Sequence, residues 1–142
     1  MADEDWGLVK EIYREGIESR KATIVKVLPA FEEWNLIHHP RLRFVAKFNG
    51  EITGFIALRD SGERIGELSV YVKNEYKRRG IGTLLIRRMQ DECSLCIYVL
   101  RSKIFFDNIA SISLHKKMGF YLIDTITLNG DSRNVFVYEW RA

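Results

Sequence analysis

Glu67-Leu68-Ser69-Val70-Tyr71-Val72 and, a few residues further on, Lys77-Arg78-Arg79-Gly80-Ile81-Gly82 are the stretch that decides how this chain folds. The first run is rich in β-branched and aromatic residues and predicts a strand. After the second, Ile81, Leu84, Leu85 and Met89 recur at helical spacing. A basic, glycine-containing turn therefore delivers a strand into a helix start. Backbone N–H groups at the positive end of a helix dipole favour a phosphate or pyrophosphate group. The spacing excludes two familiar phosphate loops. Gly82 is followed by Thr83-Leu84-Leu85, so the third glycine of a dinucleotide fingerprint is missing, and no Gly-Lys-Ser/Thr closes a P-loop. On spacing alone the turn reads either as an anion cradle or as a solvated charge run.

Outward from this stretch the chain is strand-like upstream. Arg43 to Phe48 and Ile52 to Leu58 flank Asn49-Gly50, a type I′ hairpin signal, and Ser61-Gly62-Glu63 turns the chain into a strand at Ile65 to Val72. An amphipathic helix is expected from Asp5 to Ser19, with Ala2-Asp3-Glu4-Asp5 as acidic capping chemistry. A short second helix is expected from Pro29 to about Leu36, with the proline in its first turn. Downstream, a helix from Gly80 to about Glu92 leads into a strand from Leu95 to Phe105. A further helix runs from Asn108 to Met118, its Ile109, Ile112 and Leu114 facing inward, and Gly119 stands at its C-terminus. Phe120–Leu128 and Asn134–Trp140 complete the order ααβββαβαββ. This order is α+β with one mixed sheet.

The 142 residues suit a single domain, 1–142, with a core of its own. With 22 basic and 19 acidic residues the net charge is only +3, too small to argue for nucleic acid, so the clusters at Lys77–Arg79 and Arg87-Arg88 matter more. No apolar run approaches the ~20 residues of a membrane span. The acidic N-terminus lacks the regions of a signal peptide, so the cytoplasm is the expected compartment. Cys93 and Cys96 form a lone Cys-x-x-Cys at a helix-to-strand junction and read as two reduced thiols. His38, His39 and His115 make no metal-binding spacing, and no metal is expected.

Val70-Tyr71-Val72 with Lys77–Gly82, and the run Asn108-Ile-Ala-Ser-Ile-Ser-Leu-His-Lys-Lys-Met-Gly-Phe120, resemble the two acetyl-CoA motifs of the GCN5-related N-acetyltransferase (GNAT) superfamily. Leu114-His115, Glu67-Leu-Ser-Val-Tyr-Val, Phe31-Glu-Glu-Trp34 and Ile12-Tyr-Arg-Glu-Gly-Ile-Glu are similar to the phosphinothricin acetyltransferase-like branch. The resemblance covers nearly the whole chain. It implies a GNAT-type central sheet, mixed but mostly antiparallel, flanked by α-helices. The strand carrying the first motif would splay from its neighbour, leaving Val70, Tyr71 and Val72 to pair with the pantetheine arm of acetyl-CoA much like an added strand.

The N–H groups of Arg78, Arg79, Gly80, Ile81, Gly82 and Thr83 would then wrap the pyrophosphate, with Lys77 at the head of the motif. Asn108 would bond the pantetheine, a role compatible with capping its helix. Transfer of acetyl to an amine needs a base for the ammonium, stabilisation of the oxyanion and an acid for the departing thiolate. The resemblance nominates Glu67 as base, directly or through water, and His115 as the group serving the sulfur or the oxyanion. From the residues alone, without the resemblance, Glu67 reads as a solvated strand glutamate and His115 as a surface helix histidine. Phe31, Trp34, Arg20 and Arg133 are nominated to line the acceptor site. Each also reads as core or solvated surface.

The chain departs from the family pattern in places. Lys77 stands at the usual Gln/Arg position, Phe106 replaces a common proline, and Asn134 replaces a common aspartate. The segment from Ala57 to Gly66 is shorter than usual. The family's opening strand is expected to be missing. The function implied is acetyl transfer from acetyl-CoA, by direct attack in a ternary complex, to the primary amine of a small molecule, an amino acid or phosphinothricin-like analogue. The alternatives are a peptide or protein N-terminal acetyltransferase and an inactive acetyl-CoA-binding sensor. A homodimer is implied by the resemblance, and neither nucleic acid nor membrane is an expected partner.

Overall fold

The structure, a computed structural model, describes residues 1–93 and 97–142. Residues Asp3–Asp5 form a 3-10 turn closed by Asp5, whose carboxylate accepts the Ala2 N–H at 2.8 Å. It runs into α1 (Trp6–Ser19), and α2 (Phe31–Ile37) follows. Pro29 lies ahead of α2, whose N-cap is Ala30, so the proline sets the approach to the helix rather than its first turn. The carbonyls at the C-terminal end of α2 are satisfied by a buried side chain: Arg43 donates to the Asn35, His38 and His39 carbonyls.

The strands β1 (Arg43–Phe48), β2 (Glu51–Asp60) and β3 (Ile65–Val72) form an antiparallel meander. Asn49 and Gly50 take φ of 50° and 79°, the pair of positive values that the hairpin signal requires. A 3-10 turn, Asn74–Tyr76, intervenes before α3 (Ile81–Glu92). β4 (Val99–Phe105), α4 (Ile109–Lys117), β5 (Tyr121–Leu128) and β6 (Asp131–Arg141) complete the chain. The six strands lie in the order β1-β2-β3-β4-β6-β5, with β1 and β5 at the edges. Among the described residues no strand precedes α1. Leu95 and Cys96, expected in the strand before α4 and in the Cys-x-x-Cys, lie outside the described residues.

Strand alternation divides the core between the two sheet faces. Ile56, Leu58, Leu68, Leu100 and Ile104 pack with Leu85, Ile86, Met89 and Ile112 of α3 and α4. Phe55, Ala57 and Tyr71 pack on the other face with Val9, Ile12, Tyr13 and Trp34 of α1 and α2. Cys93 is buried in the first cluster, its Sγ 3.7 Å from the Gln90 carbonyl oxygen. In α4 the inward residues differ from the expected set. Ile109 is 65% exposed, whereas His115 is 1% exposed against Phe120, so the histidine takes an inward position that an isoleucine was expected to fill.

Candidate active site

Among the described residues the only parallel neighbours in the sheet are β3 and β4, and their described pairing spans three positions, Ile65↔Val99, Gly66↔Leu100 and Glu67↔Arg101. Beyond Glu67 the two strands part. On its other side β3 stays paired with β2 as far as Val72. Lys73 N–H donates to the Thr53 carbonyl, so alternation turns the backbone of Tyr71 toward β2 and that of Val70 and Val72 toward the opening. Of the three residues nominated for an added-strand contact, two thus present main-chain groups to the gap. Tyr71 presents its ring, stacked 5.2 Å from Tyr13.

A cleft of about 600 Å³ opens at this splay, lined by Val70, Tyr71, Val72, Lys77, Arg78, the Gly80–Thr83 turn and the α4 residues Asn108, Ser111 and Leu114 among others. Arg78 takes a φ of 66° and Gly80 one of 80°, which turns the loop's backbone toward the cleft. Leu84 N–H is the first to reach back to the Gly80 carbonyl, and no side chain caps α3, so the N–H groups of Ile81, Gly82 and Thr83 are left for a ligand. Gly82 also has a packing reason: a Cβ there would lie 2.7 Å from Leu114 Cδ2. Lys77 and Arg78 line the cleft, while Arg79 lies over the Tyr76 ring at 5.2 Å. The loop is held from outside by Glu51, which accepts from Lys73 Nζ and Tyr76 Oη, each at 2.7 Å.

Asn108 is engaged at both ends of its amide. Its Oδ1 caps α4 by accepting the Ser111 N–H at 3.2 Å, and its Nδ2 donates to the Lys21 carbonyl at 3.1 Å. This ties the α1–α2 loop to the rim of the cleft.

A second, smaller cavity of about 130 Å³ adjoins it, containing Glu67, His38, Arg59, Ser102, Lys103 and His115 together with Thr23, Ile24, Val25 and Ile37. Ala22, Val70, Tyr71 and Ser111 line both cavities. Glu67 is the last paired residue before the gap, partly exposed, with Lys103 Nζ 3.5 Å from its Oε1. It also belongs to a transverse row on one sheet face. Arg59, Glu67, Arg101, Glu139 and Tyr121 are successive cross-strand partners over five strands. In that row Arg101 Nε donates to Glu139 at 2.7 Å and Tyr121 Oη donates to it at 3.2 Å. Arg141, beyond the row, adds a 2.8 Å bond to the same carboxylate.

His115 reaches the cavity from the opposite face of the sheet, and its two nitrogens lie 2.7 Å from the Ser111 carbonyl and 2.8 Å from Ser102 Oγ. Burial lowers its pKa below the ordinary histidine value, with the Ser111 carbonyl pulling the other way. Tyr13 is pushed up by burial and by its neighbour Tyr71, which keeps its phenol protonated.

The nominated acceptor-lining residues lie elsewhere. Trp34 is 1% exposed in the core, 5.2 Å from Trp6 and stacked on His38 at 4.5 Å, with the Arg43 guanidinium over its ring. Phe31 packs on Trp6 at 5.5 Å. Arg133 is clamped by Asp131 at 2.8 Å, covers Phe105 at 3.8 Å and donates to the Arg20 carbonyl. The cavity instead draws on His38, Arg59, Ser102 and Lys103, which sequence reading missed. Strand pairing brings Arg59 of β2 and Ser102 and Lys103 of β4 together, and the C-terminal end of α2 adds His38. Among the described residues no group of three or more His, Cys, Asp or Glu side chains could hold a metal ion.

A profile of the acetyltransferase (GNAT) family matches residues 7–120. The chain belongs to this family. This GNAT chain is 30% identical over 129 residues to the L-methionine sulfoximine/L-methionine sulfone acetyltransferase of Salmonella typhimurium, with 82% of the chain and 74% of the relative covered. It is 34% identical over 96 residues to the L-amino acid N-acyltransferase MnaT of Escherichia coli, covering 63% of the chain and 55% of that relative. Among solved structures, yncA of Salmonella typhimurium with its cofactor acetyl-CoA superposes with a TM-score of 0.87 at 23% identity, covering 99% of this GNAT chain and 90% of that one. A phosphinothricin acetyltransferase from Sinorhizobium meliloti in complex with acetyl-CoA gives 0.85 at 21% identity, covering 99% and 85%. At these identities the structural likeness concerns the fold.

Proposed function

We propose that this GNAT protein transfers the acetyl group of acetyl-CoA to the primary amine of a small molecule, an amino acid or a phosphinothricin-like analogue, by direct attack in a ternary complex. The observation that carries the reading is the meeting of the two cavities at Ala22, Val70, Tyr71 and Ser111, which gives a long cofactor and a small acceptor one shared wall. The residues present fit acetyl-CoA. The uncapped start of α3, with Lys77 and Arg78, suits the pyrophosphate. The free backbone of Val70 and Val72 suits the pantetheine amides. When bound, the cofactor supplies an activated acyl carbonyl and a thiolate leaving group.

Glu67, at the mouth of the gap, takes a proton from the acceptor ammonium, leaving the neutral amine that attack requires. For Asn108 to bond the pantetheine, its Nδ2 has to exchange the Lys21 carbonyl for the cofactor. Phe31, Trp34 and Arg133 act as supports of the α1–α2 region and the last hairpin, around the acceptor. The small second cavity favours a small acceptor over a peptide N-terminus. The proposal includes one domain, 1–142, a cytoplasmic location and a homodimer. No described helix is long and apolar enough to cross a membrane.

The test is an acetylation screen following thiol release over amino acids, phosphinothricin-like analogues, polyamines and peptides. Turnover on small amino-acid-like amines is expected. Turnover on peptides alone, or tight acetyl-CoA binding with no turnover on any amine, overturns the reading in favour of a peptide acetyltransferase or a sensor.

A further inference from the structure

Ser102 lies on β4, one residue past the last β3–β4 pair, and is 3% exposed. It shares a parity with Leu100 and Ile104, so it faces α4, whereas Glu67 shares its face with Tyr71 and α1. Both nevertheless line the same cavity, because the parting of the strands joins the two faces there. The imidazole of His115 is held from both ends. The Ser111 main-chain oxygen, 2.7 Å from Nδ1, can only accept, so Nδ1 carries the proton even though Ser111 Oγ lies 3.4 Å away. In the neutral ring Nε2 then accepts, and Ser102 donates its O–H to it across 2.8 Å. His115, 1% exposed, has no nitrogen left to meet a substrate directly. The oxygen lone pairs of Ser102 remain for the cavity.

We propose that Ser102 passes protons between the reacting atoms and His115, a role that rests on the acetyl-transfer reading above. Acetylation of an ammonium group releases two protons. Glu67, on the α1 face, accepts the first and gives it to solvent. The second leaves the acceptor nitrogen once the new C–N bond has formed. The N–H bond breaks and its proton joins Ser102 Oγ, while the original Oγ–H bond breaks and forms Nε2–H. The imidazolium keeps both hydrogen bonds, Nδ1–H to the Ser111 carbonyl and Nε2–H to Ser102. The return stroke moves the Nε2 proton back to Oγ and the Oγ proton to the departing sulfur, which has taken the electron pair of the broken C–S bond. Nitrogen has lost its proton, sulfur has gained one, and the Ser102–His115 pair is restored. A lowered histidine pKa makes the return favourable.

The first measurement is on the protein without ligands: nitrogen NMR of the His115 ring. A protonated Nδ1 and an unprotonated Nε2 at neutral pH are expected, and the reverse tautomer overturns the proposal. The second is kinetic, with whichever amine the wild type turns over. Ser102→Ala is expected to lower kcat on the order of 10²-fold, with acetyl-CoA affinity and acceptor KM little changed. Ser102→Thr, which keeps the hydroxyl, should retain most of the rate. A proton inventory in mixed H2O and D2O should show two protons in flight in the wild type and in Ser102→Thr. Wild-type kcat in a folded Ser102→Ala, or a one-proton inventory in the wild type, overturns the relay. If Ser102→Ala does not fold, the tautomer and the wild-type inventory decide. If the wild type acetylates no amine, it is the acetyl-transfer reading that has failed, and the tautomer experiment shows this apart from the hydrogen-bond assignment.

Discussion

Gly82 and Leu114 pack so closely that a methyl group added to the glycine would stand 2.7 Å from the leucine's Cδ2. The glycine in the turn proposed to hold the pyrophosphate is thus also a contact point between α3 and α4. Gly82→Ala is expected to destabilise the fold by about 1 kcal/mol, the lower end of the range for overpacking, because the end of a leucine side chain can shift. In a Leu114→Ala background the same change should cost less. Denaturant unfolding of the single and double variants measures the coupling. Additive effects would remove the packing role.

Glu67→Gln keeps the shape of the side chain and removes its ability to take a proton. The expected result is a fall in kcat/KM on the order of 10²-fold or more. Acetyl-CoA affinity, measured by calorimetry, should stay at the wild-type value, since no cleft residue of the Lys77–Thr83 turn is touched. Unchanged kcat/KM would show that Glu67 is not the base.

Trp34 sits in the core between Trp6, His38 and Arg43 rather than in either cavity. Trp34→Ala should cost about 3–5 kcal/mol of stability. Trp34→Phe, a smaller loss of volume, should leave the acceptor KM within about twofold once folding is confirmed by thermal unfolding. A large KM change in a stable Trp34→Phe protein would place the ring at the acceptor after all.

Burial lowers the pKa of His115, and burial is also the first cause of the downward shifts of His38 and His39. A histidine whose folded pKa lies below its unfolded value of about 6.5 binds its proton more readily when unfolded. Stability is therefore complete above about pH 6.5. It falls as pH drops below that value and levels off only once the folded pKa is passed. Urea unfolding between pH 7.5 and 5 should show this decline, and His115→Gln should make it shallower. An identical slope in the variant would mean that His115 titrates normally.

Much of the fold was legible because its punctuation is local. Asn49-Gly50, Gly80, Asn108 and Gly119 each act through their own φ, ψ or cap, and the elements they bound lie where the residue pattern predicts. What was not legible depended on distant partners. Ile109 and His115 exchange the roles expected from helical periodicity because α4 covers the sheet with its histidine beside Ser102. Trp34 and Arg133 are nominated as acceptor lining, with core and solvated surface as the other readings; Trp34 is enclosed in the core against Trp6 of α1, and Arg133 is bound by Asp131. Arg59 and Lys103 carry no motif of their own. They meet Glu67 only through the pairing of β2, β3 and β4.

The transverse row from Arg59 to Tyr121 has an evolutionary corollary. Glu139 is 2% exposed and lines neither cavity, yet it holds Arg101, the cross-strand partner of Glu67. A neutral residue at position 139 would leave the arginine's charge for Glu67 to answer, shifting the electrostatic balance around the acceptor while the grip on the cofactor stayed intact. On the proposed reading, preference among amines would then drift through substitutions at the far side of the sheet, at a residue that lines neither cavity.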